Sequence, residues 1–302
     1  MAGVPLDTWL AGHAAAPVRD RVPLLTYGSN RCPSKITWLR AVHGLGIDPV
    51  VVLRARTTGV AAVWASGLRR RDGQRPAVLA AAPDTVEEHA VWLATTAQIA
   101  ALDRCEGRGD RYRLARLDTG EVRTEDGALI ERPWSYLGRS EIRRPLLVDG
   151  HHVRCTDVAQ AAAAALVGSP DTTDGLRAVT EPGAPDPADW PAALFTYGLL
   201  QPGQPSWTLV APHAAGPPVP ATAAGAVLDT GLGYPAWLPD RPGTTPGAVV
   251  SLRDPAGLWP VLDEYEGPEY ERLRVTVDGR VCWAYAWRSA TTGFRHLPHG
   301  WR

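Results

Sequence analysis

The sequence predicts an α+β protein made of two tandem copies of one small domain, each a curled sheet or small mixed β-barrel with short helices. A set of short motifs occurs twice in the same order. Strand-like segments outnumber helical ones, which argues against a doubly wound parallel sheet. Between the two sets lies the stretch 168–191, where Pro170, Pro182, Pro185, Pro187 and Pro191 stand among Gly, Asp, Thr and Ala. That composition cannot bury a core and reads as a linker. Residues 1–167 then form the first domain, with an N-terminal arm and a C-terminal helix, and 192–302 the second. At 302 residues the chain has the length of roughly two domains of about 150.

The repeat is legible pair by pair. Leu24-Leu25-Thr26-Tyr27-Gly28 returns as Leu194-Phe195-Thr196-Tyr197-Gly198. Ala62 to Gly67 answers Ala226 to Gly231, and Pro76-Ala77 answers Pro235-Ala236. Leu102-Asp103-Arg104-Cys105-Glu106-Gly107 pairs with Leu262-Asp263-Glu264-Tyr265-Glu266-Gly267, followed by Tyr112 and Tyr270. Trp134-Ser135-Tyr136 closes the series with Trp283-Ala284-Tyr285. The spacing between partners drifts from 170 residues at Tyr27/Tyr197 to 149 at Trp134/Trp283, as loops of different length would require.

Local patterns supply the elements. Residues before Pro23 read as a loose arm with a short helix near Thr8 to Ala15. Pro23 to Tyr27 and Ala193 to Tyr197 are apolar runs ending at glycine, as a buried strand entering a turn would be. Val50 to Arg56, Val60 to Ala65, Tyr112 to Leu117, Gly247 to Leu252, Arg272 to Val277 and Val281 to Trp287 carry β-branched and aromatic residues typical of strands. Thr95 or Thr96 caps a helix bearing Ile99, Leu102 and Cys105. In the second copy Pro260 suits a first helical position, with Leu258, Leu262 and Tyr265 on one face. Alanine-rich Asp157 to Val167 reads as a further helix.

Composition narrows function. A formal charge of −1 gives no electrostatic reason to expect nucleic acid or an acidic membrane as partner. The longest apolar run, Ala161 to Val167, is far below the roughly 18 residues a membrane span needs. The N-terminus has no basic start followed by an apolar stretch, so no secretory signal is expected. Cys32, Cys105, Cys155 and Cys282 form no C-x-x-C pair, which fits reduced thiols in a cytoplasmic protein. His296-x-x-His299 has Pro298 inside it and no third ligand nearby in sequence, so no metal is expected there.

Two motifs could carry chemistry. In Leu-Asp-x-x-Glu-Gly the glycine suits a left-handed helix cap. A glutamate there is disfavoured by the helix dipole, so Glu106 and Glu266 need a reason to be present. Near aromatic side chains such a carboxyl has a raised pKa and can move protons near neutrality. In Tyr-Gly, a strand running into Gly28 or Gly198 would turn on unusual dihedrals and free backbone N–H groups for an oxyanion or carboxylate.

Tyr27-Gly28-Ser29-Asn30 resembles the Tyr-Gly-Ser-Asn loop of gamma-glutamylcyclotransferases. Tyr197-Gly198-Leu199-Leu200, continuing to Pro205, resembles the Tyr-Gly-Thr-Leu-x-x-Gly loop of the gamma-glutamylamine branch, and Gly233-Tyr234-Pro235-Ala236 follows as that branch has it. The resemblance covers most of 192–302 and, more loosely, 23–138. It implies a gamma-glutamyl substrate, release of 5-oxoproline without metal or cofactor, and Glu106 and Glu266 as acid/base residues. Tyr27, Gly28, Ser29, Asn30 and Tyr112 would bind substrate in one copy; Tyr197, Gly198, Leu199, Leu200, Tyr234 and Tyr270 in the other. Leu199 departs from the family's threonine, and Arg75 stands where the second copy has Tyr234. These departures keep a second reading open: a non-catalytic small-molecule binding or interaction protein on the same fold.

Overall fold

The computed structural model describes residues 4–301. The chain divides into two compact units, residues 1–185 and 186–302. Each is α+β, with several sheets and few, short helices.

The first unit opens with helix α1 (Leu6–Gly12), whose Leu10 is fully buried. The arm is thus packed, not loose. Buried Arg21 fastens it by donating to the carbonyls of Ala16, Pro49 and Leu93. Strand β1 (Val22–Thr26) is followed by α2 (Pro33–His43), β2 (Val51–Trp64) and β3 (Ala77–Ala94). Then come α3 (Thr96–Glu106), β4 (Tyr112–Leu117), β5 (Glu121–Thr124) and β6 (Trp134–Gly138). Short strands β7 (Leu146–Val148) and β8 (His151–His152), helix α4 (Gln160–Ala163), and strands β9 (Ser169–Pro170) and β10 (Ala178–Thr180) complete it. The main sheet runs β10-β4-β6-β1-β3-β2-β5. It is open, with β10 and β5 as edges, so the barrel alternative is not realised.

The two strands expected around 50–65 are one, because a bulge between Thr58 and Gly59 lets the pairing with β3 continue past the irregularity. Strand β3 has no clear sequence signal: alanine, Pro83 and the acids at 84, 87 and 88 obscure any alternation. Helix α3 begins as expected at Thr95, in a capping box with Gln98. The alanine-rich helix is cut to α4, which follows Ala159 and has no side-chain cap. At its other end and just beyond, the Arg75 guanidinium takes up the carbonyls of Ala163 and Leu166. The stretch expected as a linker is largely built into this unit. Its β9 pairs with β7, its β10 with β4, and the Trp134 indole donates to the Glu181 carboxylate.

The second unit repeats the plan. Strand β11 (Ala193–Thr196) leads to α5 (Trp207–Val210), β12 (Val219–Ala224), β13 (Ala226–Asp229), β14 (Pro235–Leu238) and β15 (Thr244–Ser251). Helix α6 (Pro255–Glu266), β16 (Tyr270–Val277), β17 (Arg280–Trp287) and β18 (Arg295–His296) follow. Its main sheet runs β12-β15-β11-β17-β16, and β14-β13-β18 form a second. Here Gly225 and Gly243, both with positive φ, break into β12/β13 and β14/β15 what the first unit keeps as two long strands. Helix α6 starts earlier than expected. Asp254 caps it by accepting from the Gly257 N–H, Pro255 takes the first position, and Pro260 lies inside. Leu258 and Leu262 are buried, but Tyr265 is exposed, on the side facing α5.

The sheet order β4-β6-β1-β3-β2 in the first unit matches β16-β17-β11-β15-β12 in the second. In both, the first strand lies antiparallel to one neighbour and parallel to the other, with Leu24 opposite Trp134 and Leu194 opposite Trp283. These are the partners the repeated motifs gave.

Candidate functional site

In the second unit, β11 ends at Thr196, whose hydroxyl donates to the Ala248 carbonyl across the ladder. Tyr197 follows, buried, donating its hydroxyl to the Tyr285 carbonyl at 2.7 Å. That anchor fixes the Tyr-Gly turn over β17. Neither Gly28 nor Gly198 has a positive φ, contrary to the expectation from glycine's dihedral freedom. Gly198 is needed for space instead. A Cβ there would lie 2.7 Å from Pro235 Cγ. Thus the Tyr-Gly and Gly-Tyr-Pro-Ala motifs meet, and neither side can enlarge.

Glu266 is the last residue of α6, before Gly267 with φ 70°. The helix is held over the sheet by Asp263, which accepts from the Tyr285 hydroxyl at 2.6 Å and pairs with both ends of the Arg272 fork. The aspartate of the repeated motif is therefore a positioning group, and the glutamate three residues on is aimed past it. Glu266 is half-buried, and loss of water around its carboxyl pushes its pKa up to about 8. Burial also raises the phenols of Tyr197 and Tyr270, with the Glu266 charge adding to both. Tyr270 in turn donates to the Pro235 carbonyl at 2.6 Å.

These groups surround one pocket of about 340 Å³. Of the residues expected to bind substrate here, Tyr197, Gly198, Leu199, Leu200, Tyr234 and Tyr270 all line it, together with Glu266. Sequence reasoning missed Tyr265, Glu269 and Tyr285, which also contribute. The repeat Trp-x-Tyr marked Tyr285, but nothing in it said that the side chain faces this pocket. Among the tryptophans, Trp287 lines the pocket. Trp283 is instead buried against Trp259, and Trp64 and Trp134 are buried in the first unit.

The first unit repeats the frame with different contents. Tyr27 donates to the Tyr136 carbonyl, and the Tyr136 hydroxyl to Asp103 at 2.7 Å. Glu106 ends α3 before Gly107 in the left-handed conformation, and accepts from the Asn30 side-chain amide at 2.9 Å. Asn30 and Glu106 are thus brought together directly. Ser29 is exposed, opening a short 3-10 turn after Gly28. Tyr112 is buried; burial raises its phenol, and Glu106 adds to the shift. Arg75 is no pocket wall. It is buried and spends its guanidinium on the carbonyls of Ala65, Ser66, Ala163 and Leu166.

Among the described residues no group of three or more His, Cys, Asp or Glu is placed to hold a metal ion, and His296 lies in β18, paired with β13. No helix among them is long and apolar enough to cross a membrane.

Fold and pocket together define an α+β domain with a pocket between a strand-end turn and a helix C-terminus. Residues 194–302 match the family described as Gamma-glutamyl cyclotransferase, AIG2-like. Solved structures match at low similarity. A gamma-glutamyl cyclotransferase is 18% identical, with 39% of this chain and 67% of that chain covered and a TM-score of 0.32. An AIG2-like protein from Mus musculus is 20% identical, with 34% and 79% covered and a TM-score of 0.27. YkqA from Bacillus subtilis is 17% identical over 89% of this chain and 84% of its own, with a TM-score of 0.28. No curated protein matches the sequence.

Proposed function

We propose that the chain cyclises gamma-glutamyl amides, releasing 5-oxoproline and an amine or amino acid, with Glu266 as general base and then general acid. The observation that carries this reading is a carboxyl with a pKa of about 8, lining one pocket with the Tyr197-Gly198 turn. In the reaction the substrate's α-amine forms a bond to its own γ-carbonyl carbon and closes a five-membered ring. The proton shed by the attacking nitrogen goes to the Glu266 carboxylate. As the intermediate collapses, the amide C–N bond breaks and the same proton passes to the departing nitrogen. A carboxyl poised near neutrality suits both transfers. Backbone N–H groups of the turn are the candidate oxyanion donors. A pocket that holds the γ-glutamyl chain bent gives an intramolecular attack, worth an effective molarity of up to roughly 10⁵–10⁸ M. The chemistry requires no cofactor, no nucleic acid and no membrane, and it suits a cytoplasmic enzyme. In the first unit Glu106 is the equivalent candidate, beside Asn30, and the two units act as two domains of one duplicated plan.

Leu199 favours a second reading, since an aliphatic side chain lines the pocket where the family has a hydroxyl. On that reading the site binds a small molecule without turning it over. A panel of γ-glutamyl amides incubated with the full chain separates the two. Release of 5-oxoproline from any of them supports the enzyme. Calorimetric binding with no release supports the binder.

A further inference from the structure

The residue just before the candidate glutamate is tied down in both units, by different chemistry. Tyr265 precedes Glu266 in Leu-Asp-x-x-Glu-Gly, and Cys105 precedes Glu106. The Tyr265 hydroxyl lies 2.6 Å from the Ser206 hydroxyl, on the segment that follows the Tyr197-Gly198 turn. Lys35, on the segment that follows Tyr27-Gly28, donates to the Cys105 sulfur at 3.1 Å. Ser206 and Lys35 both lie outside the repeated motifs. The same junction is thus closed twice with unrelated side chains, which points to a use for the contact itself.

In the second unit this junction closes on the pocket. The Ser206 N–H donates to the Leu199 carbonyl at 3.2 Å, so one serine grips both the turn segment and the helix end. Leu199 and Leu200 on one side and Tyr265 on the other line the pocket with Glu266. The two glutamates are also held differently. In the first unit the Asn30 amide donates to Glu106 at 2.9 Å. Leu200 has the matching place in the second motif and nothing to donate. Loss of water is the cause that raises Glu266 to about 8, and among the described residues no hydrogen bond to its carboxyl opposes it. A carboxyl set by desolvation depends on whatever keeps water out.

We propose that Ser206 and Tyr265 form a clasp that holds the 199–206 segment against the end of α6 and keeps water from Glu266, which makes both of them positioning residues for that carboxyl. Tyr265 supplies a pocket wall with its ring and half of the clasp with its hydroxyl. Ser206 supplies the other half. With the clasp open, the segment carrying Leu199 and Leu200 is freed from Tyr265, water reaches Glu266, and the ionised form gains. Tyr197, Tyr234, Glu269, Tyr270 and Tyr285 line the same pocket. Behind it Asp263 stays paired with Arg272. Removing one clasp hydroxyl leaves all of these in place, so a change in the Glu266 titration reports its hydration.

Nuclear magnetic resonance titration of the side-chain carboxyls tests this, on the full chain labelled at glutamate and with no substrate present. The Glu266 signal is the one missing from Glu266→Gln. In the unsubstituted chain its midpoint is expected near pH 8. Tyr265→Phe and Ser206→Ala are each expected to lower that midpoint by about one pH unit. The two together are expected to lower it no further than either alone, because each opens the same clasp. Ser206→Thr, which keeps a hydroxyl, is expected to hold the midpoint. Unchanged midpoints in both single variants overturn the proposal, as does a fall in Tyr265→Phe with none in Ser206→Ala. A Glu266 that titrates as an ordinary carboxyl in the unsubstituted chain overturns it too. The clasp stands or falls without substrate, separately from the γ-glutamyl reading.

Discussion

Glu266 shows how a residue can be placed against the interest of its own helix. It ends α6, where the dipole disfavours a carboxylate, and burial lifts its pKa to about 8 from an ordinary 4.5. Between those two values the unfolded chain has lost a proton that the folded protein keeps, so stability falls as pH rises through that window. Below it and above it the contribution is level. Glu266→Gln removes the titrating group, so its melting temperature should exceed that of the wild type by a margin that grows from pH 5 to pH 8 and then flattens. Thermal melts across that range check this; a constant margin would mean the carboxyl titrates normally in the fold. The need for such a residue was legible in the sequence, because the motif recurs. The role of Asp263 was not, since an aspartate repeated in both motifs gives no hint that it accepts from Tyr285 and Arg272.

At the scale of elements, short apolar runs gave β1, β4, β11 and β17 nearly to the residue, and the Thr95 cap gave the start of α3. What sequence could not give was set by distant partners. Strand β3 is extended because β1 and β2 pair along it, not because its alanines prefer it. Helix α4 gives way to an irregular segment, and Arg75, far away in sequence, holds the carbonyls of Ala163 at its end and of Leu166 beyond it. Arg75 is 4% exposed and holds four carbonyls, two on the β2 side and two on the α4 side. Arg75→Met should therefore destabilise the first unit by roughly 3 kcal/mol or more, since each buried acceptor left bare costs about 1–3 kcal/mol. Denaturant titration with an unchanged slope would report that loss. A change under 1 kcal/mol would mean that water replaces the guanidinium freely.

Over the whole molecule, the repeated order of motifs was the most legible feature and the seam between the two units the least. The motif pairs fall on equivalent strands with equivalent neighbours, because hydrophobic register and the Tyr-Gly turn fix them. The seam misled because its proline-rich composition hides β10, an edge strand that needs only three residues of pairing. The chain should accordingly divide between Pro185 and Asp186, leaving two halves that each melt cooperatively, whereas a cut before Ser169 should strip β9 and β10 and weaken the first half. Calorimetric scans of the separated halves decide it; no transition in either half from the later cut would rule out independent domains. The central claim is that these glutamates move the protons of a cyclisation. Its most direct test is the rate of 5-oxoproline release by the wild type and by Glu106→Gln/Glu266→Gln. Glutamine keeps shape and hydrogen bonding but cannot accept the proton, so the rate should fall by roughly 10²–10⁴ while the fold persists. A double variant that turns over as fast as the wild type contradicts the account.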